Sequence, residues 1–161
     1  MKKLFVTVGS TQFPKLIDAI LSTDFLTCIT KLGFSHLVVQ AGSTPVPPVA
    51  PVADLKITTY TYKSSILDDM KDAYMIISHA GSGSILEALS LDKKLLIVIN
   101  SSLMDNHQSE LANQLCPDYL VSCNITNLMS NFIECYTRTP CKKWDSAEYT
   151  LLPIIREELG L

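Results

Sequence analysis

Short apolar, β-branched runs alternate with longer stretches at helical spacing over most of this chain. Leu4 to Val8, Leu37 to Gln40, Tyr74 to Ser78 and Leu95 to Ile99 are the runs, and glycine, hydroxyl or other polar residues follow them. Parallel strands need long crossover connections and are buried on both faces, so they read as nearly continuous apolar segments. The alternation predicts βαβ units wound around a mainly parallel sheet.

The connections fit that frame. Leu16, Ile17, Ile20 and Leu21 recur at helical spacing, and a second helix over Phe25 to Leu32 would end at Gly33. Four prolines between Thr44 and Ala53 exclude regular structure there. Leu55 to Thr61 alternates as a half-buried or edge strand, and Ser64-Ser65 can cap a helix marked by Ile66, Met70 and Ala73. Later helices are expected over Ile85 to Leu91, through Leu111 and Leu115, and over Thr126 to Tyr136, with a brief strand at Tyr119 to Val121. The expected fold is one α/β domain over 1–161, Rossmann-like, with helices on both faces of a mainly parallel sheet. At the end, Trp144, Ala147, Leu151, Ile155 and Leu159 predict an amphipathic helix over 144–161, kinked or shifted by Pro153. Its apolar stripe could cover the domain's own sheet or dock on a partner.

The 161 residues are 47% hydrophobic, enough for one core. A net charge of -3 offers no general attraction to nucleic acid or anionic membrane. The apolar run after Met1-Lys2-Lys3 is too short for a signal peptide, and no stretch nears the roughly 18 apolar residues of a spanning helix. A soluble, cytosolic protein is expected. Five cysteines without a CxxC pair read as reduced packing residues rather than as metal ligands or disulfides.

The strongest local signal is Ile76 to Leu89, a buried strand running through His79-Ala80-Gly81-Ser82-Gly83-Ser84 into a helix. Such an arrangement aims free amides, the helix dipole and two hydroxyls at one point, as a phosphate site requires. An ordinary tight turn with a serine cap is the competing reading. Ile85-Leu86 stands where the dinucleotide fingerprint needs its third glycine, and no Gly-Lys-Ser/Thr is present, so NAD binding and ATP hydrolysis lose ground. Gly9-Ser10-Thr11 after the first strand is a second glycine-hydroxyl turn, and the pair would suit a diphosphate. Glu87, one turn into the helix, could accept hydrogen bonds from ribose hydroxyls or be a solvated surface residue. Asp105-Asn106-His107-Gln108-Ser109-Glu110 opens the next helix, either as a cap or as a polar wall.

HAGSGSILEAL, the strand at Lys94 to Val98 and DNHQSELA together resemble the donor-binding domain of the bacterial peptidoglycan N-acetylglucosaminyltransferases. FVTVGSTQFPKLIDAI and the turn at Val38 to Ser43 extend the resemblance to the small cytosolic subunits of the eukaryotic UDP-N-acetylglucosamine transferase acting on dolichol-diphosphate-N-acetylglucosamine. The likeness covers roughly Leu4 to Ala112. It implies the donor-binding half of a two-domain glycosyltransferase, with a membrane-anchored partner subunit holding the lipid acceptor. UDP-N-acetylglucosamine would be the substrate, with neither metal nor other cofactor, and the chain would be recruited to the cytosolic face of the endoplasmic reticulum for the second step of lipid-linked oligosaccharide assembly.

Carried over residue by residue, Gly9, Ser10 and Thr11 would line the phosphate side, and Gly81, Ser82, Gly83 and Ser84 would hold the diphosphate. Glu87 would take the ribose, His107 and Gln108 would contact the donor sugar and phosphates, and His79 and Asn106 would also belong to the substrate-binding set. No general base is assigned. His79 and His107 are the candidates, and His79 could equally be a hydrogen-bonded structural residue. A non-catalytic nucleotide-sugar-binding regulatory module is the alternative, and a flavin- or NAD-binding domain a third reading.

Overall fold

The computed structural model describes residues 1–102, 107–139 and 143–145. Its elements are β1 (Lys2–Thr7), α1 (Pro14–Ile20), α2 (Thr23–Lys31), β2 (Phe34–Gln40), β3 (Lys56–Tyr60), α3 (Leu67–Asp72), β4 (Met75–His79), α4 (Ser82–Ser90), β5 (Lys94–Val98), α5 (His107–Leu115), β6 (Val121–Cys123) and α6 (Leu128–Thr137). The strands form a six-stranded parallel sheet in the order β3-β2-β1-β4-β5-β6. This is the α/β, Rossmann-like class expected from the alternating runs. The chain divides into two compact units, 1–77 and 78–161, with the division inside β4.

In the first unit, Leu4, Phe5, Val6 and Thr7 of β1 are all fully buried. Successive strand residues face opposite sides, so both faces of β1 are covered. Polar residues concealed the start of β2, which begins three residues before the expected Leu37: His36 pairs in register with Lys3 of β1 and Lys56 of β3, and its Nε2 lies 3.0 Å from Thr58 Oγ1. Ser22 caps α2 by accepting from the Phe25 amide at 3.3 Å. Gly33 ends that helix at φ +86, a conformation glycine adopts without a Cβ clash.

β3 is an edge strand, one of the two readings its alternation allowed. At its end the Tyr60 hydroxyl donates to Asp69 Oδ2 at 2.6 Å, and Lys63 Nζ donates to the same oxygen at 2.8 Å. The expected serine cap of α3 is not formed: Ile66 holds the cap position, and Ser65 Oγ accepts only from the Leu67 amide, at 3.3 Å. Between β2 and β3 the proline-rich segment carries no helix or strand beyond an isolated bridge between Val52 and Leu55.

In the second unit, Leu95 to Val98 of β5 are buried, and β6 pairs with β5 from Leu96↔Val121 to Val98↔Cys123. β6 falls two residues later than expected, because Val121 and Cys123 are the buried positions with Ser122 between them. α6 follows a 3-10 turn at Ile125–Asn127 and buries Leu128, Phe132 and Cys135. Lys94 Nζ donates to the carbonyls of Tyr136 at 2.5 Å and Arg138 at 2.9 Å, a cation satisfying the last carbonyls of α6. Trp144 stacks edge-on against Tyr119 with ring centroids 5.5 Å apart. Residues 143–145 are not helical, and the remainder of the helix expected over 144–161 lies outside the described residues.

Candidate functional site

In the second unit the buried β4 ends at Ser78 and His79, and the chain turns at once. The His79 carbonyl accepts from the Ser78 hydroxyl at 2.8 Å and from the Gly81 amide at 2.8 Å. α4 begins at Ser82, three residues earlier than the sequence suggested, so the Ser-Gly-Ser stretch is its first turn and Gly81 its cap residue. No side chain caps it. The first intrahelical bond runs from the Ile85 amide to the Gly81 carbonyl at 3.1 Å. Helix geometry therefore leaves the amides of Ser82, Gly83 and Ser84 pointing out of the helix end, at its positive pole. The Ser82 and Ser84 hydroxyls make no hydrogen bond to any described residue.

The two glycines of this turn have different reasons to be glycine. Gly81 has an ordinary φ of -74, but a Cβ there would stand 2.6 Å from His79 Nε2. Close packing on the imidazole requires it. At Gly83 a Cβ would meet nothing within 4 Å, and the residue is exposed in the first turn of a helix. Neither packing nor a positive φ calls for glycine there, although glycine costs about 0.5–1 kcal/mol relative to alanine in a helix. Bare backbone at that place is what close approach of a ligand to the amides needs.

His79 is nearly buried, 9% exposed, with its ring against Gly81. Glu87 is exposed one turn after Gly83, on the same face of α4. His107 and Gln108 open α5, and Asn106 lies outside the described residues.

In the first unit the turn after β1 is stitched in place. Gly9 has φ +62, in the left-handed region. Its amide donates to Thr7 Oγ1 at 3.1 Å, and the Thr7 hydroxyl donates to Gln40 Oε1 at 2.5 Å, with Thr7 and Gln40 buried. The Thr11 amide and hydroxyl both donate to the Val8 carbonyl, at 3.3 and 2.7 Å. Ser10 is exposed and bonds to no described residue, so of the three turn residues it is the one with an uncommitted amide and hydroxyl. Gln40 and Thr44, missed in the sequence, support this turn. Polar residues at the end of an apolar run, Gln40, and just past it, Thr44, were the available signal.

Elsewhere, burial pushes the thiols of Cys123 and Cys135 up to about 12. Among the described residues, no three His, Cys, Asp or Glu side chains cluster as a metal site would, and no helix is long and apolar enough to cross a membrane.

A parallel sheet and an uncapped Gly-Ser helix start directly behind a buried strand define a Rossmann-like α/β domain whose helix end can receive an anion. The family model for the Glycosyltransferase family 28 C-terminal domain matches residues 3–139. Proteins named UDP-N-acetylglucosamine transferase subunit ALG13 are similar. The one from Homo sapiens is 38% identical over 100% of this chain and 14% of its own length, and the one from Saccharomyces cerevisiae is 33% identical over 76% of this chain and 77% of its own length. The chain belongs to glycosyltransferase family 28, in the group of the ALG13 subunits. It spans only 10% of the Mus musculus relative and 14% of the human one. An NMR solution structure of ALG13 superposes with a TM-score of 0.71 at 28% identity, covering 94% of each chain. Acinetobacter baumannii MurG shares the fold, with a TM-score of 0.63 at 15% identity over 84% of this chain and 41% of that one.

Proposed function

We propose that this chain binds UDP-N-acetylglucosamine and, with a membrane-anchored subunit that holds the acceptor, transfers N-acetylglucosamine to dolichol-diphosphate-N-acetylglucosamine on the cytosolic face of the endoplasmic reticulum. The observation that carries the reading is Gly83, a helix position kept bare although a side chain would meet nothing.

The acceptor hydroxyl attacks the anomeric carbon, and the bond to the β-phosphate oxygen breaks with UDP leaving. Negative charge builds on the diphosphate as that bond breaks. The amides of Ser82, Gly83 and Ser84 at the start of α4 are fixed donors for that charge, with no reorganisation needed during the reaction. The hydroxyls of Ser82 and Ser84 add donors of the same kind, and in the first unit Ser10 offers a further amide and hydroxyl for a phosphate. Glu87 accepts from the ribose hydroxyls, and His107 and Gln108 contact the sugar and phosphates. The acceptor hydroxyl gives up its proton as the new bond forms.

Calorimetry with UDP-N-acetylglucosamine, followed by a transfer assay with and without membrane extract, tests this. Binding and membrane-dependent transfer are expected. Binding with no transfer in either arm supports a non-catalytic nucleotide-sugar-binding regulatory module, and absence of binding overturns the donor reading.

A further inference from the structure

The turn after β2 is built against the turn after β1. Gly42, at φ +58, lies so close that a Cβ there would stand 2.4 Å from the Thr11 carbonyl oxygen and 2.8 Å from that of Gly9. Thr44 is 4% exposed, and its Oγ1 accepts from the Phe13 amide at 2.9 Å. The Thr44 amide in turn donates to the Ala41 carbonyl at 3.0 Å, which holds Thr44 to the end of β2. At the other end of the β1 turn, the Val8 amide donates to the Gln40 carbonyl at 3.2 Å. The six residues from Val8 to Phe13 are therefore pinned at both ends and pressed in the middle by one neighbouring segment. Ser10 is left outward between the pins.

We propose that Thr44 is a positioning residue for the donor's diphosphate: by holding the Phe13 amide, with Gly42 as the backstop for Thr11, it sets where the amide and hydroxyl of Ser10 point. This rests on the donor reading above. A donor group displaced by an ångström loses most of its value toward a phosphate oxygen, because hydrogen bonds weaken steeply with distance and angle. Thr44 needs no contact with the ligand for this role. The buried threonine hydroxyl acts as an acceptor here, so serine can replace it and valine cannot.

The experiment titrates the ¹⁵N-labelled chain with UDP and, separately, with uridine, which lacks the phosphates. Thr44→Val should weaken UDP binding by about tenfold while uridine affinity stays within about twofold, and Thr44→Ser should restore UDP binding. A general loosening of the fold would lower both affinities together. Thr44→Val that binds UDP like the wild type, or that loses UDP and uridine in equal proportion, overturns the positioning role. If Thr44→Val does not fold, Gly42→Ala is the second variant, and it must show the same selective loss for the proposal to stand. Wild-type chain that binds no UDP overturns the donor reading, and the inference with it, before any variant is made, so the two failures read apart.

Discussion

The imidazole of His79 lies under the backbone of Gly81, so close that a methyl group on Gly81 would stand 2.6 Å from Nε2 and 2.8 Å from Cε1. The last residue of the strand thereby supports the turn that follows it. Gly81→Ala should destabilise the chain by about 1–3 kcal/mol through this overlap. Removing the ring as well should relieve part of the loss, so the Gly81→Ala/His79→Ala pair should be less destabilised than the sum of its single changes. Denaturant melts of the three variants measure this, and strict additivity would argue against the contact.

Gly83 should respond in the opposite sense. Gly83→Ala meets no atom and improves helix propensity, so stability should rise by about 0.5–1 kcal/mol. UDP-sugar binding should weaken in the same variant, since the methyl occupies the approach to the amides. Gly83→Asp adds bulk and negative charge, and transfer should fall toward about 10²–10³-fold in a reconstituted assay. Thermal melts and calorimetry on one preparation show whether the two properties part company as expected.

Much of the architecture was legible in the sequence. Strands buried on both faces have to be apolar throughout, and β1, β4 and β5 announce themselves that way. The start of β2 was not legible, because His36 contributes backbone pairing rather than apolar surface and Ser35 lies at the register shift opposite Lys2 and Lys3. Helix α4 was placed three residues late because Ser-Gly-Ser has weak helix propensity and reads as a turn, although it is the first helical turn. The HAGSGS and Gly9-Ser10-Thr11 motifs were visible as local patterns. Their supports were not: the Thr44 bond to Phe13 and the contact of Gly42 with Thr11 each join residues 31 apart in sequence, and only the parallel pairing of β1 with β2 brings them together.

The Tyr60, Lys63 and Asp69 cluster gives a pH dependence. Burial alone would raise the Asp69 carboxyl, but hydrogen bonds from Lys63 and Tyr60 outweigh it and hold the carboxyl below its ordinary value of 3.8. A carboxylate depressed on folding stabilises the native state above its unfolded-state value, and that contribution is lost as pH falls through and below it. The urea midpoint should therefore drop between about pH 5 and pH 2. In Asp69→Asn the drop should be shallower, with a loss of about 1 kcal/mol at neutral pH, modest because Lys63 is partly exposed. Equal slopes for the two proteins would remove Asp69 from the account.

Thiol chemistry separates the cysteines. Cys123 and Cys135 are buried with thiols raised to about 12, while Cys28 and Cys116 are half-buried and reachable, burial raising the Cys28 thiol as well. Since the thiolate is the reactive form, iodoacetamide at pH 8 should modify Cys28 and Cys116 in the native chain and reach Cys123 and Cys135 only as fast as it unfolds. Peptide mapping after timed quenching reads the order, and early labelling of Cys135 would contradict the burial of α6 against its neighbours.

The interlock of Gly42 with Thr11 also limits how this chain could vary through descent. A residue inserted between Val8 and Phe13 would drive a carbonyl into Gly42 or pull Phe13 off Thr44, so it could persist only beside a matching change in the second segment. The proline-rich stretch just past Thr44 carries no helix or strand beyond the Val52–Leu55 bridge, so a change of length there interrupts no regular element. Drift in loop length should therefore accumulate after position 44 and stop abruptly before it.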